Sequence, residues 1–262
     1  VVALPSGGEG HLQPSLGRTP LSEKIALVED LARRSGSADR RVSALDTVEY
    51  HDEQRSVALA STRGVRAHHQ AGYVEMWVDC LGEDEHGRGS DYAYQLARTA
   101  ADCDPQALAR LAVERTVILL GPVSRCRPGL PLILDGDVVS ALLTAIGKGL
   151  SGGPVSSGRT PFANKVAAMV AASCVSLVDD GRSPMSPNAA AHDDEGVPRR
   201  QTRLIDGGVL LGALHSTVTA RAVGGGAVST GNARRASHRS VPRAAPSCLA
   251  LEPTTSRADL MS

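Results

Sequence analysis

Three stretches in the first half of the chain alternate apolar and polar residues and are rich in β-branched side chains, at positions 42–50, 57–61 and 73–81. Such alternation is typical of strands with one buried face. Short polar segments near Asp52-Glu53 and Arg63-Gly64 separate the stretches and have the composition of hairpin turns. The first half is therefore predicted to contain an antiparallel meander.

Two helical patterns flank this meander. Ser22 precedes Glu23 and an apolar series that ends near Ser35-Gly36, which predicts an N-capped amphipathic helix. After a polar loop predicted at residues 83–90, Asp104-Pro105 supplies the N-cap and first-turn residues of a helix that extends to position 120. This helix is expected to pack on the meander.

The second half mixes short apolar segments with glycine-rich turns. Asp206-Gly207-Gly208 predicts a hairpin between residues 197–205 and 209–215, because glycine readily supplies the positive φ of tight turns. The segment at 166–178 fits either a helix or a strand. Four further segments are predicted as a short buried strand at 132–134, a helix at 135–150, a flexible loop at 149–158 and a loop at 183–191.

Together these patterns predict an α+β fold with two domains. The first holds the meander and its packed helices, and the second is mostly antiparallel β. The predicted boundaries are a disordered lead-in at residues 1–20, a first domain at 21–121, a linker at 122–131 and a second domain at 132–262.

Composition limits the classes of partner. The 28 basic and 28 acidic residues balance, so no global field favours nucleic acid or an anionic membrane. Aromatic residues make up only 2% of the chain, so the core must consist of Ala, Val and Leu. Either another subunit supports such a core, or the composition reflects a biased genome.

The five cysteines are odd in number and form no C-x-x-C pair, which argues against a disulfide scaffold and a zinc ribbon. We found no apolar run long enough to span a membrane and no signal-peptide pattern. A cytoplasmic protein with reduced thiols is predicted.

Two histidine-containing clusters are candidate metal sites. His68-His69 are adjacent, so on a strand at most one of them can join a ligand such as Cys80. His192 beside Asp193-Asp194-Glu195 is richer in oxygen donors, but acidic residues in loops more often form turns. No metal site is predicted at either place. The glycines at 224–226 and 231 fit neither phosphate-binding pattern, G-x-x-x-x-G-K-S/T or G-x-G-x-x-G after a strand.

The order and spacing of several motifs resemble those of the TldD/PmbA family of peptidase subunits over roughly residues 22–253. The similar segments are Ser61–Gly64, Gly152–Ala163, and the stretch that starts at Asp193 and continues through Arg199–Leu214 and Ser229–Arg235. The resemblance implies a two-domain TldD/PmbA-like α+β fold.

Catalytic subunits of this family carry His-Glu-x-x-x-His on a helix, where the histidines bind zinc and the carboxylate activates water. The similar helix here reads Leu143-Thr144-Ala145-Ile146-Gly147-Lys148. Leu143, Thr144 and Lys148 occupy the motif positions and cannot play these roles. No catalytic residue is therefore predicted in this chain, and the resemblance is to the PmbA (TldE-like) branch.

The resemblance also implies further features of the site. The family's third zinc ligand is a cysteine in a C-terminal region that this sequence does not reach, so we expect the second domain to be incomplete. The loop Thr230-Gly231-Asn232 resembles the segment that lines the family's peptide cleft. Arg234 and Arg235 follow it and could hold a carboxylate.

The sequence thus predicts a zinc-less TldE-like subunit that needs no cofactor of its own. Its expected partners are a TldD-like subunit that carries His-Glu-x-x-x-His and zinc, and unfolded peptides; neither nucleic acid nor membrane is expected. Two alternatives stay open at this point. One is a truncated, non-enzymatic peptide-binding or relic protein, and the other is a hydrolase with an unrecognised site.

Overall fold

The computed structural model describes residues 19–62, 64–121, 129–184 and 186–254. The described residues form two compact units, an N-terminal unit of residues 19–55, 71–121 and 129–131 and a C-terminal unit of residues 56–62, 64–70, 132–184 and 186–254. Almost all of the predicted lead-in at 1–20, most of the predicted linker at 122–131, and Arg63 of the predicted turn lie outside the described residues.

The N-terminal unit confirms the predicted meander with packed helices. Its sheet has the strand order β1-β2-β3. β2 and β3 are antiparallel, with Val74 opposite Ala97 and Asp84 opposite Gly87. The elements are α1 (Leu21–Ala38), β1 (Val42–Ala60), β2 (Arg66–Asp84), β3 (Gly87–Ala97), a 3-10 turn (Ala100–Asp102) and α2 (Pro105–Ile118). Residues 56–60 of β1 and 66–70 of β2 belong to the C-terminal unit.

The turn predicted near Asp52-Glu53 is wrong, because β1 continues through these residues without a break. Asp52 forms an ion pair with Lys24 of α1, so its polar side chain is accommodated beside the strand. The loop predicted at 83–90 is also wrong, since β2 and β3 leave only Glu85-His86 between them. The first helix begins at Leu21, with Pro20 rather than Ser22 as its N-cap, and continues to Ala38.

Alternation along β2 builds the core of the N-terminal unit. Alternate residues from Val74 to Cys80 are buried, as the period of a strand dictates. Trp77 points to the other face and stacks on Tyr92 with ring centroids 4.2 Å apart. The buried cluster contains Leu31, Met76, Val78, Cys80, Ala93, Leu108, Ala109, Ala112 and Val113.

The C-terminal unit contains an antiparallel sheet of order β6-β5-β4-β9 and a separate pair, β7-β8. Its core consists largely of leucines, including Leu150, Leu177, Leu204 and Leu214. The elements are α3 (Gly136–Gly149), α4 (Gly152–Ser156), β4 (Leu177–Asp180), β5 (Gln201–Asp206), β6 (Val209–Leu210), α5 (Thr217–Val223), β7 (Ala233–Arg234), β8 (Arg243–Ala244) and β9 (Leu249–Leu251).

The hairpin at Asp206-Gly207-Gly208 is confirmed, with Asp206 opposite Val209 and φ values of 51° and 82° at the two glycines. Its second strand is shorter than expected and ends at Leu210. Of the ambiguous segment at 166–178, only its last two residues, from Leu177, join a strand.

Two other expectations for this unit are wrong. Residues 132–134 form no strand, and Leu132 is 79% exposed, so an apolar triplet was insufficient evidence of a buried strand. The loop predicted at 149–158 contains α4, which begins one residue after Ser151. Within the described part of the chain, none of the helices has both the length and the apolar character needed to cross a membrane.

Candidate functional site

A cavity of about 500 Å³ lies in the C-terminal unit between α3 and the segment 245–249. We call it the α3 cavity. Val139, Leu143, Pro246 and Leu249 supply its apolar walls. The polar side chains that line it are Ser140, Thr144, Lys148, Arg234 and Ser247.

A close approach of α3 to the opposite wall shapes this cavity. Gly147 is buried, and a Cβ atom added there would lie 2.7 Å from Cγ of Pro246 and would also overlap the side chain of Leu249. At the other end of the helix, the Asp135 carboxylate caps α3 by accepting the Asp137 N–H at 3.0 Å. Glycine at position 147 therefore lets the helix reach the wall that faces it.

The structure places the three motif positions identified from the sequence along the α3 cavity. Leu143 is half-buried, whereas Thr144 and Lys148 are exposed. The Thr144 hydroxyl donates to the Ser140 carbonyl at 3.0 Å, a bond within the helix. The three side chains thus share one cavity, as the helical spacing of the motif requires.

This set of side chains does not fit zinc. Zinc in proteins takes thiolate, imidazole and carboxylate ligands. Leu143 has no donor atom, and the Lys148 ammonium carries three hydrogen-bond donors and no acceptor. Across residues 19–62, 64–121, 129–184 and 186–254, no group of three or more His, Cys, Asp or Glu residues is arranged to hold a metal ion.

The charges at the α3 cavity are positive. Lys148 and Arg234 line it, and no Asp or Glu is among the described residues that do so. Arg234 lies on β7 and donates to the Asn188 side-chain oxygen at 3.0 Å. Within the described chain, Lys148 forms no ion pair. The cavity therefore favours anions over cations.

A buried polar network fixes the wall of the cavity that faces α3. Asp179 of β4 is fully buried and accepts the backbone N–H groups of Ser247 and Cys248, both at 2.8 Å. The Asn232 amide donates to the other Asp179 oxygen at 2.6 Å and to the Ser247 hydroxyl at 3.3 Å. Burial raises the pKa of Asp179, although these donors oppose the shift.

Three of the predicted peptide-binding residues are engaged within the fold. Asn232 is only 3% exposed, and its side-chain oxygen accepts from the Thr230 hydroxyl at 2.7 Å. Gly231 has a φ of 79°, and a Cβ atom there would lie 2.5 Å from the Pro198 carbonyl oxygen. These contacts give the Thr230-Gly231-Asn232 loop a structural role beside the cavity.

Arg234 and Arg235 line different cavities. Arg235 donates its backbone N–H to the Asp194 carboxylate at 2.6 Å and its guanidinium to the Ser240 carbonyl. It borders a second cavity of about 280 Å³, together with His69, His192 and other residues of the C-terminal unit. The two arginines are neighbours on an extended segment, so their side chains diverge.

Both histidine clusters considered from the sequence have other contacts. The Asp193 carboxylate accepts the N–H groups of Glu195, Val197 and Ala233, and the Glu195 carboxylate accepts the Thr217 N–H at 2.8 Å. These acidic residues therefore organise a turn.

His68 lies 3.1 Å from the Ser56 hydroxyl. Cys80 is buried in the core of the N-terminal unit, where burial raises the pKa of its thiol to about 11.

The described chain thus has a two-unit α+β fold with α3 along a cavity, and comparison with family models identifies this fold as a metallopeptidase scaffold. Residues 14–120 match the PmbA/TldA metallopeptidase central domain, and residues 128–262 match the C-terminal domain of the same family. The chain belongs to the PmbA/TldD metallopeptidase family.

Curated relatives include two proteins named Metalloprotease TldD homolog. The one from Haemophilus influenzae is 27% identical over 87% of this chain and 48% of its own length. The one from Buchnera aphidicola subsp. Schizaphis graminum is 30% identical over 84% of this chain and 48% of its own length. The chain thus spans about half the length of the curated relatives it matches.

Solved structures share the fold. TldE from Thermococcus kodakarensis superposes with a TM-score of 0.76 and 20% identity, over all of this chain and 60% of that protein. A Thermotoga maritima protein described as a candidate modulator of a DNA gyrase gives a TM-score of 0.85 and 24% identity, over 93% of this chain and 54% of that protein. The expected TldD/PmbA-like fold is therefore confirmed.

Proposed function

We propose that this chain is a TldE-like, non-catalytic subunit that acts in the cytosol with a TldD-like partner to process unfolded peptides. The observation that carries this proposal is the lining of the α3 cavity, which includes Leu143, Thr144 and Lys148, the residues that the sequence resemblance aligns with the family's zinc motif. Membership of the metallopeptidase family supports a role in proteolysis.

On this proposal, zinc belongs to the partner subunit, where the two histidines and the glutamate of His-Glu-x-x-x-His would hold it and activate water. This chain contributes a surface that holds the peptide. The α3 cavity suits that task because it combines apolar walls with a few polar groups, and its volume of about 500 Å³ falls in the range of ligand sites.

The test is co-expression of this chain with the His-Glu-x-x-x-His homologue of the same organism, followed by size-exclusion chromatography. We expect one complex that hydrolyses unfolded peptides and loses activity on chelation of zinc. The partner alone should be less active, and its activity should rise when this chain is added back. A matched control replaces the partner's motif glutamate with glutamine, which should abolish hydrolysis while the complex persists.

Two results would contradict the proposal. If the partner cleaves peptides equally well without this chain, the chain is not a functional subunit. If the two proteins elute separately, the non-enzymatic alternative is favoured. Hydrolysis by this chain alone that survives exhaustive chelation would instead indicate an independent hydrolase.

A further inference from the structure

The α3 cavity is lined by positively charged side chains, which suit an anion. The family's motif would place a zinc cation at the same position. Lys148 and Arg234 approach the cavity from different elements, α3 and β7, although they are far apart in the sequence. Arg234 uses one guanidinium nitrogen to contact Asn188. Because a guanidinium has five N–H donors, others remain for a ligand.

Ser247 adds a neutral donor at the same wall. Its hydroxyl oxygen lies 3.3 Å from the Asn232 amide nitrogen and 3.4 Å from an Arg199 guanidinium nitrogen, both of which can only donate. The Ser247 oxygen therefore accepts, and within the described residues its own hydroxyl hydrogen has no acceptor. That hydrogen is available to a ligand oxygen in the cavity.

The remaining walls identify the kind of anion. Val139, Leu143, Pro246 and Leu249 give the cavity an apolar surface next to the two cations. A small inorganic ion would leave this surface uncovered. The end of a peptide matches both features, because its carboxylate lies one bond from a Cα atom that can carry an apolar side chain.

We propose that the α3 cavity binds the C-terminal carboxylate of an unfolded peptide, with Lys148 and Arg234 as its charged partners and the Ser247 hydroxyl as a further donor. This inference rests on the proposed peptide-handling function and deepens it. Bonds between an ionised donor and a carboxylate are short and strong, so the cavity selects a chain end over an internal peptide segment.

The test compares three fluorescently labelled peptides on the complex, or on this chain if it is stable alone, by fluorescence anisotropy. One unfolded decapeptide ends in leucine with a free carboxylate, the second is its C-terminal amide, and the third is the amide with one internal glutamate. We expect the free acid to bind roughly 10- to 150-fold more tightly than the amide, the range that one hydrogen bond to a charged group contributes.

Lys148→Met and Arg234→Gln should each reduce the ratio of the two affinities, and the double variant should bring it close to one. The matched controls are Lys165→Met and Arg221→Gln, which alter residues that do not line the cavity and should keep the ratio. Circular dichroism establishes that each variant is folded. Higher salt should also reduce the preference, because ions screen a partly exposed site.

The outcomes separate the two proposals. Equal binding of acid and amide would overturn the carboxylate site and leave the proposed subunit role intact. If the glutamate-containing amide binds as tightly as the free acid, the site recognises any carboxylate and the assignment to the chain end is wrong. Failure of all three peptides to bind contradicts both proposals.

Discussion

Replacing Asn232 with alanine tests whether the buried polar network holds the wall of the α3 cavity. The Asn232 side chain donates to the buried Asp179 carboxylate at 2.6 Å and accepts from the Thr230 hydroxyl at 2.7 Å. Alanine removes these two short bonds, and with them the longer contacts of the Asn232 amide to the Ala245 carbonyl and the Ser247 hydroxyl, both at 3.3 Å. The Asp179 oxygen that Asn232 contacts then loses its donor, while the other oxygen keeps two backbone N–H groups.

The expected loss of stability follows from these two bonds. A hydrogen bond to a charged group contributes about 1.5–3 kcal/mol, and a neutral one contributes about 1 kcal/mol. We therefore expect Asn232→Ala to lower the free energy of unfolding by about 3 kcal/mol. For a chain of this size, that corresponds to a melting temperature lower by roughly 6–12 °C.

The assay is urea denaturation followed by far-ultraviolet circular dichroism, with hydrogen exchange of residues 245–249 as a local readout. Asn188→Ala is the matched control, since it removes a single bond to the exposed Arg234 and should cost less than about 1 kcal/mol. Combining Asn232→Ala with Asp179→Asn should cost less than the sum of the single changes. A coupling energy below about 0.5 kcal/mol between the two substitutions would refute the Asn232–Asp179 hydrogen bond as the main source of the stability loss.

Three other perturbations have defined outcomes. Gly147→Ala should destabilise the protein by about 1–3 kcal/mol, because its Cβ would lie 2.7 Å from a ring carbon of Pro246. Gly136→Ala, with no atom within 4 Å of its Cβ, should be neutral or stabilising. Equal melting temperatures of the two variants would contradict this prediction. Met76→Ala should lower the free energy of unfolding by about 2–5 kcal/mol, and Leu96→Ala, at a site 49% exposed, should lower it much less. Tryptophan fluorescence during denaturation measures the stability of both variants. Equal losses of stability would disprove the assignment of Met76 to the core. Burial lowers the pKa of His215 below its ordinary value near 6.5, so the stability of the protein should fall as the pH drops below about 6.5. His215→Gln should flatten this pH dependence. An unchanged pH profile in the variant would show that another group is responsible for it.

Local patterns predicted the parts of the fold that depend on neighbouring residues. The apolar and polar alternation at residues 73–81 was recognisable as part of β2, because burial of every second side chain is a property of a single strand. The Asp206-Gly207-Gly208 turn was recognisable because the need for positive φ is met within two residues. The turn predicted near Asp52 was wrong because Asp52 forms an ion pair with Lys24 of α1, and no local sequence pattern shows such a contact.

The candidate site was predictable only in part, for the same reason. The helical spacing of Leu143, Thr144 and Lys148 placed them on one helix, and the structure brings them to one cavity. That Lys148 and Arg234 line the same cavity depends on packing between distant parts of the chain, which no local sequence pattern shows. The divergence of Arg234 and Arg235 follows from the alternation of an extended segment, but the strand at 233–234 is too short to recognise from its residues.

The geometry of the α3 cavity and its chemistry depend on different residues. Gly147 sets the distance between α3 and the opposite wall, and Asp179 fixes that wall through backbone N–H groups. Neither role involves the three motif positions, so substitution there changes the lining and leaves the scaffold intact. A zinc ion would bring two positive charges to such a cavity, and Lys148 and Arg234 bring the same number from side chains. A carboxylate can therefore be attracted to this cavity without a metal.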